Sequence, residues 1–182
     1  NYTSAAPTTT FSIRATLTTQ AVNSTCAQAT AVTVGDTLTA QDCQNGGPVN
    51  TACSASASGK VLYYRVSVPA RASAKVTVTP TDATSTFKPL LRVLPACDAT
   101  TCDQQASTST VATTLVNVGT APREALVAVS GSANTSGAGI GGFSLSVTPD
   151  VFVANGVCAD ATALPAEGFV TGEDLSIGGP AF

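Results

Sequence analysis

The stretch Phe11-Ser12-Ile13-Arg14-Ala15 returns 132 residues later as Phe143-Ser144-Leu145-Ser146-Val147, and the same offset returns in two further blocks. Asn23, Cys26, Ala27, Ala29, Thr30 and Ala31 are matched by Asn155, Cys158, Ala159, Ala161, Thr162 and Ala163, and Gly46-Gly47-Pro48 is matched by Gly178-Gly179-Pro180. One spacing shared by three separate blocks marks a tandem repeat, the signature of modules that stack or string together. Its period is that of one ordinary domain, since domains most often hold about 100–150 residues. The expected organisation is the closing strand of a preceding repeat over 1–17, a complete module over 18–152 and the start of the next over 153–182, a window on a longer protein.

Within the module the apolar residues alternate. Lys60 to Pro69 is the strongest such segment, with Leu62, Tyr64, Val66 and Val68 on one face and Val61, Tyr63, Arg65 and Ser67 on the other, and it is expected to be central. Residues 29–40 read as two short strands broken at Gly35-Asp36, and Asp42 to Gly59 reads as a long loop. Further strands follow over 74–80, 87–95, 111–118 and 124–130, and Phe143 to Thr148 closes the module after a Gly-rich loop over 131–142. Pro89 has no donor N–H and belongs at a strand start, an edge or a bulge. No segment shows apolar residues at helical spacing over a helical length. About eight short strands between turn residues predict an all-β fold, an antiparallel β-sandwich of jelly-roll or immunoglobulin-like type. The strand over 9–17 closes the preceding domain, or else completes the sheet of a neighbouring module or subunit by β-augmentation.

Composition narrows the chemistry. Charged residues are 10% of the chain against about 25% in an ordinary domain, so Thr, Ser, Ala and Gly must make much of the surface. A net charge of −3 supplies no field for a polyanion, which argues against nucleic-acid binding. No apolar run is long enough to predict a membrane span. Histidine is absent, which removes Ser-His-Asp and Cys-His arrangements from this segment. Glu173-Asp174 is adjacent in sequence, so on a strand its carboxylates face opposite sides and form no dyad. The segment is expected to be non-enzymatic and to need no cofactor.

Six cysteines without a histidine point to disulfides in an oxidising compartment, outside the cell or at its surface. Cys97 and Cys102 are the close pair and are expected to bond across a short loop. Cys26 with Cys53 is the preferred second bridge, a Cys43 to Cys53 staple being the alternative, with Cys26 and Cys158 then bonded elsewhere. Cys43 is matched by Leu175 in the next repeat and is left, with Cys158, as an inter-module or intermolecular cysteine. Asn1, Asn23 and Asn134 each open an Asn-x-Ser/Thr sequon and are glycosylation candidates. Asp98 and Asp103 flank the Cys97 to Cys102 loop and are weak calcium candidates, two carboxylates without the spacing of a calcium loop.

The Asn23-Ser24-Thr25-Cys26-Ala27-Gln28-Ala29 opening, the Val61-Leu62-Tyr63-Tyr64-Arg65-Val66 strand, the Leu91-Arg92-Val93 strand running into Cys97 and Cys102, and the final Gly142-Phe143-Ser144-Leu145-Ser146-Val147 strand resemble bacterial pre-peptidase C-terminal β-sandwich repeats. The resemblance spans nearly the whole repeat and implies a non-catalytic module decorating a large secreted or surface protein. Loops here carry fewer acids than those of the family often do, which weakens any carry-over of metal binding. Two functions compete: a structural module of an extracellular filament, stalk or appendage whose partners are copies of itself, or an adhesin or carbohydrate-binding accessory module whose partners are glycans. Sugar-binding faces present exposed aromatics, and the chain has no Trp, so the second reading needs Tyr2, Tyr63 or Phe152 exposed beside acids. Spacers for a catalytic domain elsewhere form a third reading.

Overall fold

A computed structural model describes residues 15, 19–50, 53, 57–82, 86–106, 109–132 and 140–152. Ten strands lie among them: β1 (Thr30–Thr33), β2 (Thr37–Asp42), β3 (Gly47–Pro48), β4 (Ala57–Val68), β5 (Ala72–Pro80), β6 (Pro89–Leu94), β7 (Asp103–Ala106), β8 (Val111–Asn117), β9 (Arg123–Ser132) and β10 (Gly142–Asp150). Short 3-10 turns at Val22–Ser24, Cys26–Gln28 and Cys43–Asn45 complete the described elements. The predicted strand over 9–17 and the repeat start over 153–182 lie outside the described residues, Ala15 excepted.

The strands form two sheets. The larger runs β1-β4-β9-β6-β7, with β3 also paired to β4, and the smaller runs β2-β10-β5-β8. Alternation puts Leu62, Tyr64, Val66 and Val68 of β4 on the inner face, where they meet the buried Phe143, Leu145 and Val147 of β10. Three aromatic rings fix the middle of this core. Phe143 stacks on Phe87 with centroids 6.1 Å apart, and Tyr64 meets Phe143 edge-on at 6.4 Å, geometries that the ring quadrupoles favour. The Tyr64 hydroxyl, at the edge of that core, donates to Gln41 Oε1 at 2.9 Å, and burial pushes its pKa upward.

The all-β sandwich is as the alternation predicts, with one departure from an antiparallel plan. β1 runs parallel to β4, Thr30 opposite Tyr64 and Thr33 opposite Ser67. The break at Gly35-Asp36 does not make a hairpin within one sheet. It is a corner that carries the chain from the larger sheet to the smaller. Gly35 takes φ +103°, a left-handed conformation that suits glycine. Asp36 Oδ2 accepts from the Thr33 N–H at 2.7 Å and the Thr33 hydroxyl at 2.8 Å, while Gly35 N donates to Val147 O at 2.7 Å and ties the corner to β10.

The described residues of the expected long loop over 42–59 are also more regular than its composition indicates. Asp42 caps the turn at Cys43–Asn45 by accepting from Gln44 N at 2.8 Å, β3 follows, and β4 starts already at Ala57. Gly46 and Gly47 are required here by close approach. A Cβ on Gly46 would run into the Val61 carbonyl, and one on Gly47 into the Ser24 carbonyl. The smaller sheet ends at Asp150, whose carboxylate accepts from the Thr114 hydroxyl at 2.8 Å and from Val151 N at 2.9 Å.

Gly47→Ala should lower stability to chemical denaturation by about 1–3 kcal/mol, the range for forcing atoms into a packed site, whereas Gly35→Asn should be milder because Asn tolerates positive φ. The two hydrogen bonds hold the Asp150 pKa below the ordinary value of 3.8. Its contribution is therefore present above pH 3.8 and lost as pH falls through the depressed folded value. A proton titration of Asp150 followed by NMR should show that depression, and Asp150→Asn should remove this component of the acid sensitivity.

Candidate functional site

The outer face of the larger sheet is apolar over its middle. Val61 and Tyr63 of β4, Leu94 of β6 and Ala128 of β9 form a second cluster, separate from the sandwich core, and a half-exposed sheet could not leave such a patch in water. Segments without regular strand structure cover it. The leading turns bring Cys26 and Ala29 onto the cluster, and the segment after β3 brings Val49 and Cys53. Asn23 anchors the leading turns by donating from Nδ2 to Tyr63 O at 3.1 Å.

Both covers are stapled to one hairpin. Cys26 bonds Cys97, and Cys53 bonds Cys102, with Cα separations of 5.7 Å and 5.6 Å. The four cysteines expected in disulfides are in disulfides, but the expected pairings Cys97 to Cys102 and Cys26 to Cys53 are both corrected. The physical reason is the buried patch. Cys97 and Cys102 lie on the connection between β6 and β7, and each faces a different covering segment, so the cross-links join cover to sheet instead of closing the short loop. The alternative Cys43 to Cys53 staple is excluded in the same way.

Cys43 is corrected as well. It is 0% exposed in the main core, a free thiol whose Sγ lies 3.6 Å from Val129 O as donor, and burial, then the charge of Asp42, raises its pKa. It has no access to a partner chain. It behaves as a small hydrophobe, in keeping with Leu175 at the matching place 132 residues on. Cys158 lies outside the described residues.

Arg92 sits beneath the covers. It projects from β6 at 1% exposure, between Ala128 of β9 and Gln104 of β7 in the register. Its Nη1 donates to Asn50 O at 2.6 Å and lies 4.0 Å from Cys53 Sγ, while Nε and Nη2 have no partner among the described residues. Burial lowers its pKa, opposed by Tyr63, whose own pKa burial raises. A charged side chain between Leu91 and Val93 carries no mark in the sequence of a buried anchor. Here it pins the covering loop.

The remaining candidates fall as follows. Asn23 is 6% exposed with its amide turned onto Tyr63 O, which leaves no room for a glycan there, so this sequon is corrected to a structural asparagine. Asn1 and Asn134 lie outside the described residues. Asp98 and Asp103 are both exposed on the β6–β7 hairpin, and no group of three potential metal ligands is gathered among the described residues. Tyr63 is buried at 6% and Phe152 is half-buried, while Tyr2 lies outside the described residues.

At the end of the sandwich where β4 and β8 finish, a half-open cleft of about 480 Å³ remains. Val68, Val93, Leu115 and Leu126 give it apolar walls, and Cys97 and Cys102 line the hairpin side. Its rim carries Asp103, Arg123 and an exposed ion pair of Arg65 Nε with Glu124 Oε2 at 3.4 Å. Beneath it, Asn117 Nδ2 donates to Val68 O, Pro69 O and Ala121 O at 2.9–3.1 Å, locking the β4–β5 and β8–β9 turns together. The cleft draws on four strands and a hairpin, so no local motif announces it. Its chemistry is apolar surface with a charged rim, suited to packing against another surface.

Non-reducing peptide mapping should recover the Cys26–Cys97 and Cys53–Cys102 pairs, and Cys43 should resist alkylation at pH 8 until the protein is denatured. Replacing Cys53 and Cys102 together by Ser should reduce stability by about 4 kcal/mol, the chain-entropy value for a closed loop of this size. Neither a family model nor a curated protein sequence matches the chain.

Proposed function

We propose that the chain is a non-enzymatic structural module of an extracellular filament, stalk or surface appendage built from serial β-sandwiches with a period of 132 residues. The observation that carries this reading is where the repeated blocks fall in the fold. Asn23 and Cys26 fasten the leading turns to the sheet, Gly46 and Gly47 allow β3 to lie against Val61 and Ser24, and Phe143, Leu145 and Val147 fill the core from β10. Several of the residues that recur at this spacing are thus ones on which the architecture rests, although Ala27, Ala31 and Pro48 of the same blocks are exposed. Phe11 and Ile13 then belong to the closing strand of the module before, and Asn155, Cys158, Gly178 and Gly179 to the opening of the module after.

Two intramolecular disulfides suit an oxidising environment, which supports placement outside the cell. A low-charge surface permits neighbouring modules to pack side by side without strong repulsion. The adhesin or carbohydrate-binding reading gains nothing from Tyr63, whose ring lies under the covering loops.

Electron microscopy of the native material tests the proposal. Ordered fibres with an axial repeat of a few tens of ångströms, on the order of one sandwich length, are the expected outcome. Dispersed particles with no ordered polymer would overturn it.

A further inference from the structure

We infer that the cleft beside Leu115 and Leu126 is the socket for the next module of the same chain, so that successive sandwiches abut head to tail as a stiff rod. This deepens the serial-module reading and rests on it. The argument starts from where the chain leaves. Asp150 of β10 is opposite Ser73 of β5, and Ser73 is opposite Val116 of β8, which lines the cleft. At about 4.8 Å per strand spacing, the chain exits roughly 10 Å from the socket.

The tether is short. Ala21 is already fixed to its own module, its N–H donating to Asn45 O at 2.7 Å, and the repeat match places Val153 at the position of Ala21. Between Asp150 and Val153 stand only Val151 and Phe152. Three residue steps span at most about 10 Å, so a following sandwich has no room to hang free. Its first fixed residue then lies beside the end of the sandwich where the cleft is found.

The two ends match. The leading segment touches β4 at the level of Val61 and Tyr63, whereas the exit lies at the level of Val68 and the β4–β5 turn. Five to seven residues of β4 separate these levels, about 17–23 Å at roughly 3.3 Å per residue, so the joints lie at opposite ends. The trailing end exposes Val151 at 59%, beside the cleft end, while the 132-residue offset puts Ala154 where the leading end here has Val22. An apolar socket at one end and a short tether to the leading end of the next module make a heterologous contact, the kind that propagates along one direction.

The test uses the full 182-residue chain completed by a copy of residues 51–152 after Phe182, which finishes the module begun at 153. Its rotational correlation time, measured by NMR relaxation, should shift to that of one rigid particle of the pair's mass. Ala96→Trp and Thr101→Trp, exposed positions lining the cleft, should return the pair to independent tumbling while the 182-residue chain with the same substitutions keeps its denaturation midpoint. Independent tumbling of the unsubstituted pair would overturn the inference, as would a pair that stays rigid when both tryptophans are present. A rigid pair together with native material that forms no fibres would sink the filament reading and leave the socket standing.

Discussion

Burial of β4 on both faces is the constraint from which the rest of the fold follows. A strand in a two-layer sandwich needs one apolar face, but Val61, Leu62, Tyr63 and Tyr64 are buried in succession. Leu62 and Tyr64 are answered by the opposite sheet, which is what β10 and β5 provide. Val61 and Tyr63 have no sheet to face, and the turns and loops that cover them bring backbone polar groups to an apolar surface. Such covers have weak local order of their own. Disulfides supply that order by limiting the unfolded chain, an effect suited to segments that bury too little to hold themselves.

This view also accounts for the place of Arg92. A buried guanidinium with two groups unpartnered among the described residues is expensive, since desolvation of a charge exceeds what one hydrogen bond returns. Its Nη1 bond to Asn50 O gives the covering loop a fixed register on the sheet, and the Cys53–Cys102 bridge lies alongside. The polar anchors on this face, Arg92 and Asn23, both hold backbone carbonyl groups, so they locate the covers more than they add to the hydrophobic burial beneath.

Much of the fold is legible in the sequence because strand alternation reports faces. The two faces of β4 and the inward-facing Phe143, Leu145 and Val147 follow from it, while the start of β6 at Pro89 is one of the three places its missing N–H allows. Alternation says nothing about partners, so the corner at Gly35-Asp36 reads as a turn without revealing that β1 and β2 belong to different sheets. The cysteine pairing is hidden for a related reason. Sequence proximity favours closing Cys97 on Cys102, whereas the buried patch on the outer face, which decides the matter, is visible only once β4, β6 and β9 are side by side. Asn23 shows the same limit, its sequon being a local pattern and its burial a tertiary fact.

The crossed order of the two bridges has a mechanical consequence. Cys53 lies inside the loop closed by Cys26 and Cys97, and Cys102 lies just outside it. A module loaded at its two ends passes tension from Cys26 directly to Cys97, so the chain between them, with β1 through β6, carries no load and cannot be drawn out. Only the hairpin beyond Cys97 and strands β7 to β10 are free to lengthen. The covalent links therefore divide one sandwich into a shielded portion and an extensible one, and set how far it can yield before a disulfide itself must break.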